Sequence, residues 1–250
     1  MLKVLYNKSH DLRAKGFNKL IETNFPHFIN ETDPNVILVA GGDGALHHAT
    51  KKHQNFNGIY FGKALGTLNF LMNNISDDIS TLKDIIEGRV VIDVIETSTI
   101  DVYINDAYLT NSANDVVLGD SINSYLSFNL TSEDYKYKDF QFKGTGLCIS
   151  TPLGSTAFNL NNGGNVLDLD SRGLSITGVV TNKEINAVVK NQKLIINSNA
   201  NLYIDGVYMY KLKEQDELIL LPGKNIKIGF FDKKEFLNKR FMLSHRKGNY

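Results

Sequence analysis

Hydrophobic and polar positions along the chain fall into two textures that meet near residue 90. In the first, short apolar blocks alternate with longer segments whose apolar residues recur at helical spacing. Residues 2–6 predict a strand, and residues 10–24 a helix that turns Leu12, Phe17, Leu20 and Ile21 inward. Pro26 and Pro34 punctuate the loop that follows. The uninterrupted apolar run from Val36 through Ile37, Leu38 and Val39 to Ala40 then predicts a strand buried on both faces. Residues 45–54 predict a second helix, 58–62 a third strand, and 78–87 a helix stopping at Gly88. Strands alternating with helices predict an α/β domain on a parallel sheet.

Beyond residue 90 the apolar blocks shorten and alternate with polar residues at the period of strands. Strands are predicted at 90–96, 100–104, 107–110, 116–118, 125–129, 140–142, 147–150, 174–176, 193–196, 201–204 and 217–221. They predict a β-rich C-terminal domain of meander-like antiparallel sheets, with no repeated motif to suggest a propeller or solenoid. The expected organisation is residues 1–90, 91–223, and a segment 224–250 that returns to the first domain. That last segment carries eight Lys or Arg against two acidic residues, yet Ile228, Phe230, Phe231 and Phe236 give it much to bury.

Composition narrows the function. The 250 residues hold 27 basic and 27 acidic side chains, so no global cationic field marks a nucleic-acid binder. Cys148 is the only cysteine, which excludes an intrachain disulfide or thiolate zinc cluster and points to a reducing, cytoplasmic setting. The first residues lack the apolar segment of a signal peptide, and no run is long enough to span a membrane.

The richest chemistry lies at Gly41-Gly42-Asp43-Gly44, directly after the apolar strand and before a helix. Such glycines let backbone amides turn toward phosphate oxygens, and the helix adds its N-terminal dipole. An aspartate there cannot attract phosphate; it can orient a hydroxyl, take its proton, or hold Mg²⁺. An ordinary turn is the alternative. A second constellation runs from Gly144 through Thr145 and Gly146 to Phe158. There Ser150, Thr151, Ser155 and Thr156 can donate hydroxyl hydrogen bonds, Gly154 permits close approach, and Ala157 can open a helix. Its alternative is a capped turn. Asn114-Asp115 suits either a turn before an edge strand or a reader of ribose or amide groups, and Asp205-Gly206 either a hairpin turn or a carboxylate at a domain junction.

Other motifs fail. Residues 58–64 lack the Walker spacing and its hydroxyl, and the Gly41–Gly44 tetrapeptide is not GxGxxG. His47, His48 and His53 lack the i,i+4 spacing of a zinc protease. Cys148 sits in an apolar strand as a buried thiol, and Ser155 lacks the GxSxG elbow.

Taken together and in order, Gly41-Gly42-Asp43-Gly44, the loop Leu65-Gly66-Thr67-Leu68-Asn69-Phe70-Leu71, Asn114-Asp115 and the stretch from Thr151 to Phe158 resemble the NAD kinase family over nearly the whole chain. The resemblance implies a two-domain NAD kinase-like fold. It also implies phosphorylation of the adenosine ribose 2′-hydroxyl of NAD to NADP, with ATP or polyphosphate as donor, Mg²⁺ or another divalent cation, and homodimers or homotetramers. Carried over by position, Asp43 is the catalytic base, with Gly41, Gly42, Gly44 and the second loop's Gly66, Leu68, Asn69 and Phe70 around the nucleotides. Asn114 and Asp115 contact adenosine, Thr156, Ala157 and Phe158 line the site with Ser150, Thr151, Gly154 and Ser155, and Asn161 and Asp205 lie at its edges.

The chain departs from the family pattern at several positions. Ala45, Leu153 and Phe158 stand where threonine, threonine and tyrosine are usual, and Thr145 replaces an acid expected near the nicotinamide. The residues after Gly164 lack the usual proline-bearing stretch. These changes keep in view a noncatalytic NAD or adenine-nucleotide binder on the same scaffold, and the Gly41–Gly44 loop, which resembles that of lipid kinases related in fold, keeps in view a lipid kinase.

Overall fold

The structure is a computed structural model that describes residues 4–7, 12–30, 32–66, 71–75, 78–120, 124–133, 138–190 and 192–245. In chain order its first elements are β1 (Val4–Asn7), α1 (Leu12–Asn24), β2 (Val36–Gly41), α2 (Asp43–Lys52), β3 (Ile59–Ala64), α3 (Asp78–Ile86) and β4 (Asp93–Thr97). Strands β5 (Ile100–Ile104), β6 (Ala107–Ser112), β7 (Asp115–Gly119), β8 (Leu126–Ser132) and β9 (Phe140–Ser150) follow, then α4 (Phe158–Asn161). The chain continues through β10 (Gly173–Thr181), β11 (Asn186–Lys190), β12 (Leu194–Ser198), β13 (Asn201–Ile204) and β14 (Val207–Lys211). It closes with β15 (Leu218–Pro222), β16 (Ile226–Phe230) and α5 (Lys233–His245).

The chain divides into two compact units, Met1–Glu96 with Ile226–Tyr250, and Thr97–Asn225. The first unit is a five-stranded sheet in the order β1-β2-β3-β16-β4, in which β1 with β2, β2 with β3, and β3 with β16 are parallel. Every residue of β2 is buried, as its apolar run requires of a central parallel strand. Phe17 and Ile21 of α1 are buried against Val36 and Leu38, with Ala14 beside them and Leu20 half-buried; the side chain of Leu12 lies outside the described residues. Asn73 fastens the strand ends. Its Nδ2 donates to the carbonyls of Gly62 and Gly229, 3.0 Å each, and its Oδ1 accepts from the Phe231 amide at 2.9 Å.

The second unit is an eleven-stranded antiparallel sheet with the path β14-β13-β7-β9-β8-β12-β15-β5-β6, and β10 and β11 branching from β9. Its core gathers the inward faces of these strands, among them Val116, Leu118, Leu147, Ile149, Ile176 and Leu202. A meander would keep sequence neighbours together; here β7 lies between β13 and β9, so Asn114-Asp115 precedes an interior strand and not an edge. The expected strands 140–142 and 147–150 are one strand running through Gly144 and Gly146. A Cβ at Gly146 would stand 2.7 Å from the Leu118 carbonyl oxygen, and one at Gly144 would stand 2.5 Å from Thr181 Cγ2.

One further expectation changes. The strand expected at 90–96 is β4 and joins the first sheet, because alternation marks a strand without saying which sheet will pair with it. Residues 226–230 supply β16 beside β3, so the basic C-terminal segment contributes a buried strand and a helix. Among the described residues no helix is long and apolar enough to cross a membrane.

Candidate active site

The candidate residues fall into two groups, one in each unit. In the first unit β2 ends at Gly41 with φ +155°, where a Cβ would lie 2.6 Å from that of Ala45. Gly42 is the N-cap, and α2 begins at Asp43, two residues earlier than its pattern predicts. A carboxylate in a first helical turn is favoured by the helix dipole and lies beside unpaired amides. Asp43 Oδ1 accepts the backbone amide of Leu71 at 2.9 Å, and the Leu65 amide donates to the Gly41 carbonyl at 2.9 Å. These two bonds bring both ends of the second glycine-bearing loop to the first. Gly44 and Gly66 are exposed, while Leu68, Asn69 and Phe70 lie outside the described residues.

The described residues hold no cluster of three His, Cys, Asp or Glu side chains suited to a metal. The Asp43 carboxylate, with phosphate oxygens and water, would suffice to hold Mg²⁺ in the way common to phosphoryl-transfer sites.

In the second unit the Asn114-Asp115 corner is built by Asp205. This residue and Gly206 form the turn between β13 and β14 with φ of 50° and 76°, a hairpin geometry that needs two left-handed residues. The turn also delivers a carboxylate. Asp205 Oδ1 accepts from Ser112 Oγ at 2.8 Å, the Asn114 amide at 2.8 Å and the Asp115 amide at 3.2 Å, while its Oδ2 accepts from the Ala113 amide at 3.3 Å. The hairpin-turn reading of Asp205-Gly206 is realised, and the turn's carboxylate bonds residues 112–115 of the same unit.

Thr151 closes the corner from the other side. Its Oγ1 lies 2.7 Å from the Ala113 carbonyl oxygen, to which it donates, and accepts the Gly154 amide at 3.1 Å; its own amide donates to the Asn114 carbonyl at 3.0 Å. Ser155 Oγ donates to the Pro152 carbonyl at 2.8 Å and accepts the Leu167 amide at 2.9 Å, and Ser150 Oγ donates to the Thr151 carbonyl at 3.1 Å. These three hydroxyls were expected to donate to a ligand. They are buried and bonded within the loop, because each is surrounded by backbone groups that burial leaves in need of partners. Gly154 does permit close approach, but to Asn114: a Cβ would lie 2.5 Å from that residue's carbonyl carbon.

Thr156 and Ala157 are half-buried after this loop, and Phe158 and Asn161 on α4 are exposed. Thr145 donates to the Val179 carbonyl at 2.9 Å and lies five residues before Ser150, about 17 Å along an extended strand. It does not share the corner.

Electrostatics single out Asp115. It is 3% exposed, and burial, followed by the charge of Asp205, pushes its carboxyl up to about 7. Asn114 Nδ2 donates to Asp115 Oδ2 at 3.0 Å, and Asn114 Oδ1 is buried without a partner among the described residues. Burial, and then Asp115, raises the Cys148 thiol well above its ordinary range, in keeping with an inert buried cysteine.

Two residues escaped the sequence. Asn159 is buried beneath the loop, its Nδ2 donating to the carbonyls of Ser155 and Asn165 and its Oδ1 accepting from Thr177 Oγ1 at 2.7 Å. Ser112, the fourth donor to Asp205, ends β6. Neither stands out, since an asparagine among Asn161 and Asn162 or a serine at a strand end carries no special spacing. A cavity of about 670 Å³ lies elsewhere in the second unit, over Ser127, Asn129, Gln141, Lys143 and Asn197, and shares no residue with either group.

A five-stranded sheet with parallel pairs, joined in one chain to a larger antiparallel sheet, is a fold shared with solved nucleotide kinases. Yeast NADH kinase complexed with NADH superposes with a TM-score of 0.81 over 99% of this chain and 88% of that one, at 15% identity. An NAD kinase from Archaeoglobus fulgidus in complex with ATP gives 0.72 over 96% and 97%, at 16% identity. In sequence, residues 88–227 match the ATP-NAD kinase C-terminal domain. The NAD kinase of Picrophilus torridus is 30% identical over 206 residues, 79% of this chain and 73% of that one. That of Sulfurisphaera tokodaii is 27% identical over 94% and 97%. The match to the Rickettsia bellii NAD kinase, at 29% identity, covers 59% of this chain and 57% of that protein's length. The chain belongs to the NAD kinase family.

Proposed function

We propose that the chain is a cytoplasmic NAD kinase that moves the terminal phosphoryl group of ATP or polyphosphate to the adenosine ribose 2′-hydroxyl of NAD. The observation that carries this reading is Asp43, placed at the first residue of α2 and bonded to Leu71 at the end of the second glycine-bearing loop, in a chain of this family. The 2′-oxygen attacks the terminal phosphorus and the bond from phosphorus to the donor's bridging oxygen breaks. The hydroxyl proton passes to the Asp43 carboxylate, and ADP or shortened polyphosphate leaves. A divalent cation, when bound, neutralises charge on the phosphates. Amides at Gly41, Gly42, Gly44 and Gly66 surround those phosphates, together with Leu68, Asn69 and Phe70.

In this reading Asn114 and Asp115 hold adenosine, Thr156, Ala157 and Phe158 line its place, and Asn161 lies at the edge. Ser150, Thr151, Gly154, Ser155 and Asp205 shape that surface from beneath. Thr145, unable to supply negative charge, leaves the nicotinamide end less tightly held. The subunits assemble as a homodimer or homotetramer. Incubating the protein with NAD, Mg²⁺ and either donor, and measuring NADP, tests the proposal. Calorimetric binding of NAD without product under both donors and several divalent metals would select the noncatalytic binder instead.

A further inference from the structure

Asp43 sits in the first turn of α2, where the helix fixes its backbone and leaves its side-chain torsions to choose among several staggered positions. One contact that selects among them comes from outside the helix. Oδ1 accepts the Leu71 amide at 2.9 Å, and Leu71, Met72 and Asn73 are all buried. This short segment is laid along β3. The Asn73 amide donates to the Gly62 carbonyl at 2.8 Å, and the Asn73 carbonyl accepts the Ala64 amide at 2.9 Å. Gly62 makes room for Met72, because a Cβ there would run into Met72 Sδ. The Asn73 side chain then spans β3 and β16, which lie side by side in parallel. Its Nδ2 donates to a carbonyl on each strand, and its Oδ1 accepts the Phe231 amide just past the end of β16. Two donors and an acceptor on one short planar group suit asparagine, whereas aspartate lacks the donors.

We propose that Asn73 is a positioning residue for the reaction. It locks residues 71–73 to β3 and β16, so that the Leu71 amide meets Asp43 Oδ1 and holds the carboxylate in one orientation. The path runs from Gly229 and Phe231 through Asn73 and Leu71 to Asp43, so a strand end 158 residues beyond Asn73 helps to aim the base. Asn73 bonds backbone groups and acts through Leu71. This rests on the reading of Asp43 as the base and adds what aims it. A base that wanders among rotamers is in place for only a fraction of the bound complexes, which lowers kcat and leaves KM for NAD alone.

Steady-state kinetics with NAD and Mg²⁺, at temperatures where circular dichroism shows each protein folded, read the split. Asn73→Ala should lose about tenfold in kcat, with KM for NAD within about twofold of wild type. Asn105→Ala is the control. It removes two hydrogen bonds of the second unit, to Asp216 and Glu217, and should lose stability with kcat unchanged. Replacing Leu71 by its α-hydroxy acid removes the amide donor and keeps the side chain, and kcat should fall at least as far as in Asn73→Ala. Wild-type kcat in Asn73→Ala or in the Leu71 ester, a loss seen in KM instead, or an equal loss in Asn105→Ala overturns the proposal. Amide exchange at Leu71, followed by NMR in the ligand-free protein, separates this from the functional reading. Protection in wild type that falls about tenfold or more in both Asn73→Ala and Asp43→Ala sustains the positioning role even if no NADP forms. A Leu71 amide unprotected in wild type, or equally protected in either variant, defeats it whatever the turnover.

Discussion

Replacing Gly154 by alanine adds one methyl group at the point where the loop after β9 lies on Asn114. Gly154 has no positive φ, so alanine meets no backbone strain there and the loss is one of space, set against a gain of up to about 1 kcal/mol from the stiffer unfolded chain. The new Cβ would sit 2.5 Å from the Asn114 carbonyl carbon and 2.6 Å from its Oδ1, and backbone there cannot swing aside as a flexible side chain can. Opening the contact by about an ångström costs about 1–3 kcal/mol by the standard of overpacked interiors. It also stretches the bonds from the Thr151 amide and hydroxyl to Asn114 and Ala113, at about 1 kcal/mol each. The sum, about 3–5 kcal/mol, corresponds to a melting temperature lower by roughly 6–20 °C at about 2–4 °C per kcal/mol.

Circular dichroism of the full chain on heating measures the loss. NAD affinity should fall with it, because the same movement displaces Asn114 and Asp115. Gly16→Ala is the matched control. A Cβ at Gly16, exposed within α1, meets nothing within 4 Å, so alanine should stabilise by up to about 1 kcal/mol. A Gly154→Ala protein that melts within a degree of wild type and binds NAD equally well would refute the argument that Gly154 serves the corner.

Asp115→Asn should change stability as a function of pH. The Asp115 carboxyl is raised from 3.8 to about 7 in the folded chain, so the folded state binds the proton more tightly and wild-type stability falls as pH rises from about 4 to 7. Denaturant titrations should show the variant equal to wild type near pH 4 and more stable above pH 7 by at most about 4 kcal/mol; parallel pH profiles would contradict this. Ser155→Ala removes the hydroxyl that donates to the Pro152 carbonyl and accepts the Leu167 amide, and should cost about 1–3 kcal/mol by chemical denaturation; a midpoint equal to that of wild type would contradict this. Asn73→Ala removes three hydrogen bonds linking Gly62, Gly229 and Phe231. It should lower stability by about 2–4 kcal/mol, and amide exchange should show β3 and β16 opening first.

What the sequence revealed and what it hid have a common cause. The β2 run and the α1 face were legible because burial on two faces or one imposes its own period, whatever lies across from it. Sheet membership was not: β4 and β16 alternate like any strand, and only pairing across more than 100 residues draws β16 between β3 and β4. At the site, Asp43 was legible from glycines beside it in sequence. The work of Asp205 was not, since its partners lie some 90 residues earlier and an Asp-Gly hairpin turn accounts for the same two letters. Hydroxyl residues misled for a similar reason. Ser150, Thr151 and Ser155 have the composition of a ligand-facing wall, yet a loop this tightly folded needs the same hydroxyls to satisfy its own backbone.

Phosphorylation of NAD by the wild type and by Asp43→Asn, followed as NADP formed with ATP or polyphosphate and Mg²⁺, bears most directly on the account. Wild type should make the 2′-phosphorylated product, and the variant should turn over at least about a hundredfold more slowly while still binding NAD. Equal turnover by the two proteins, or no NADP from wild type with either donor, would contradict it.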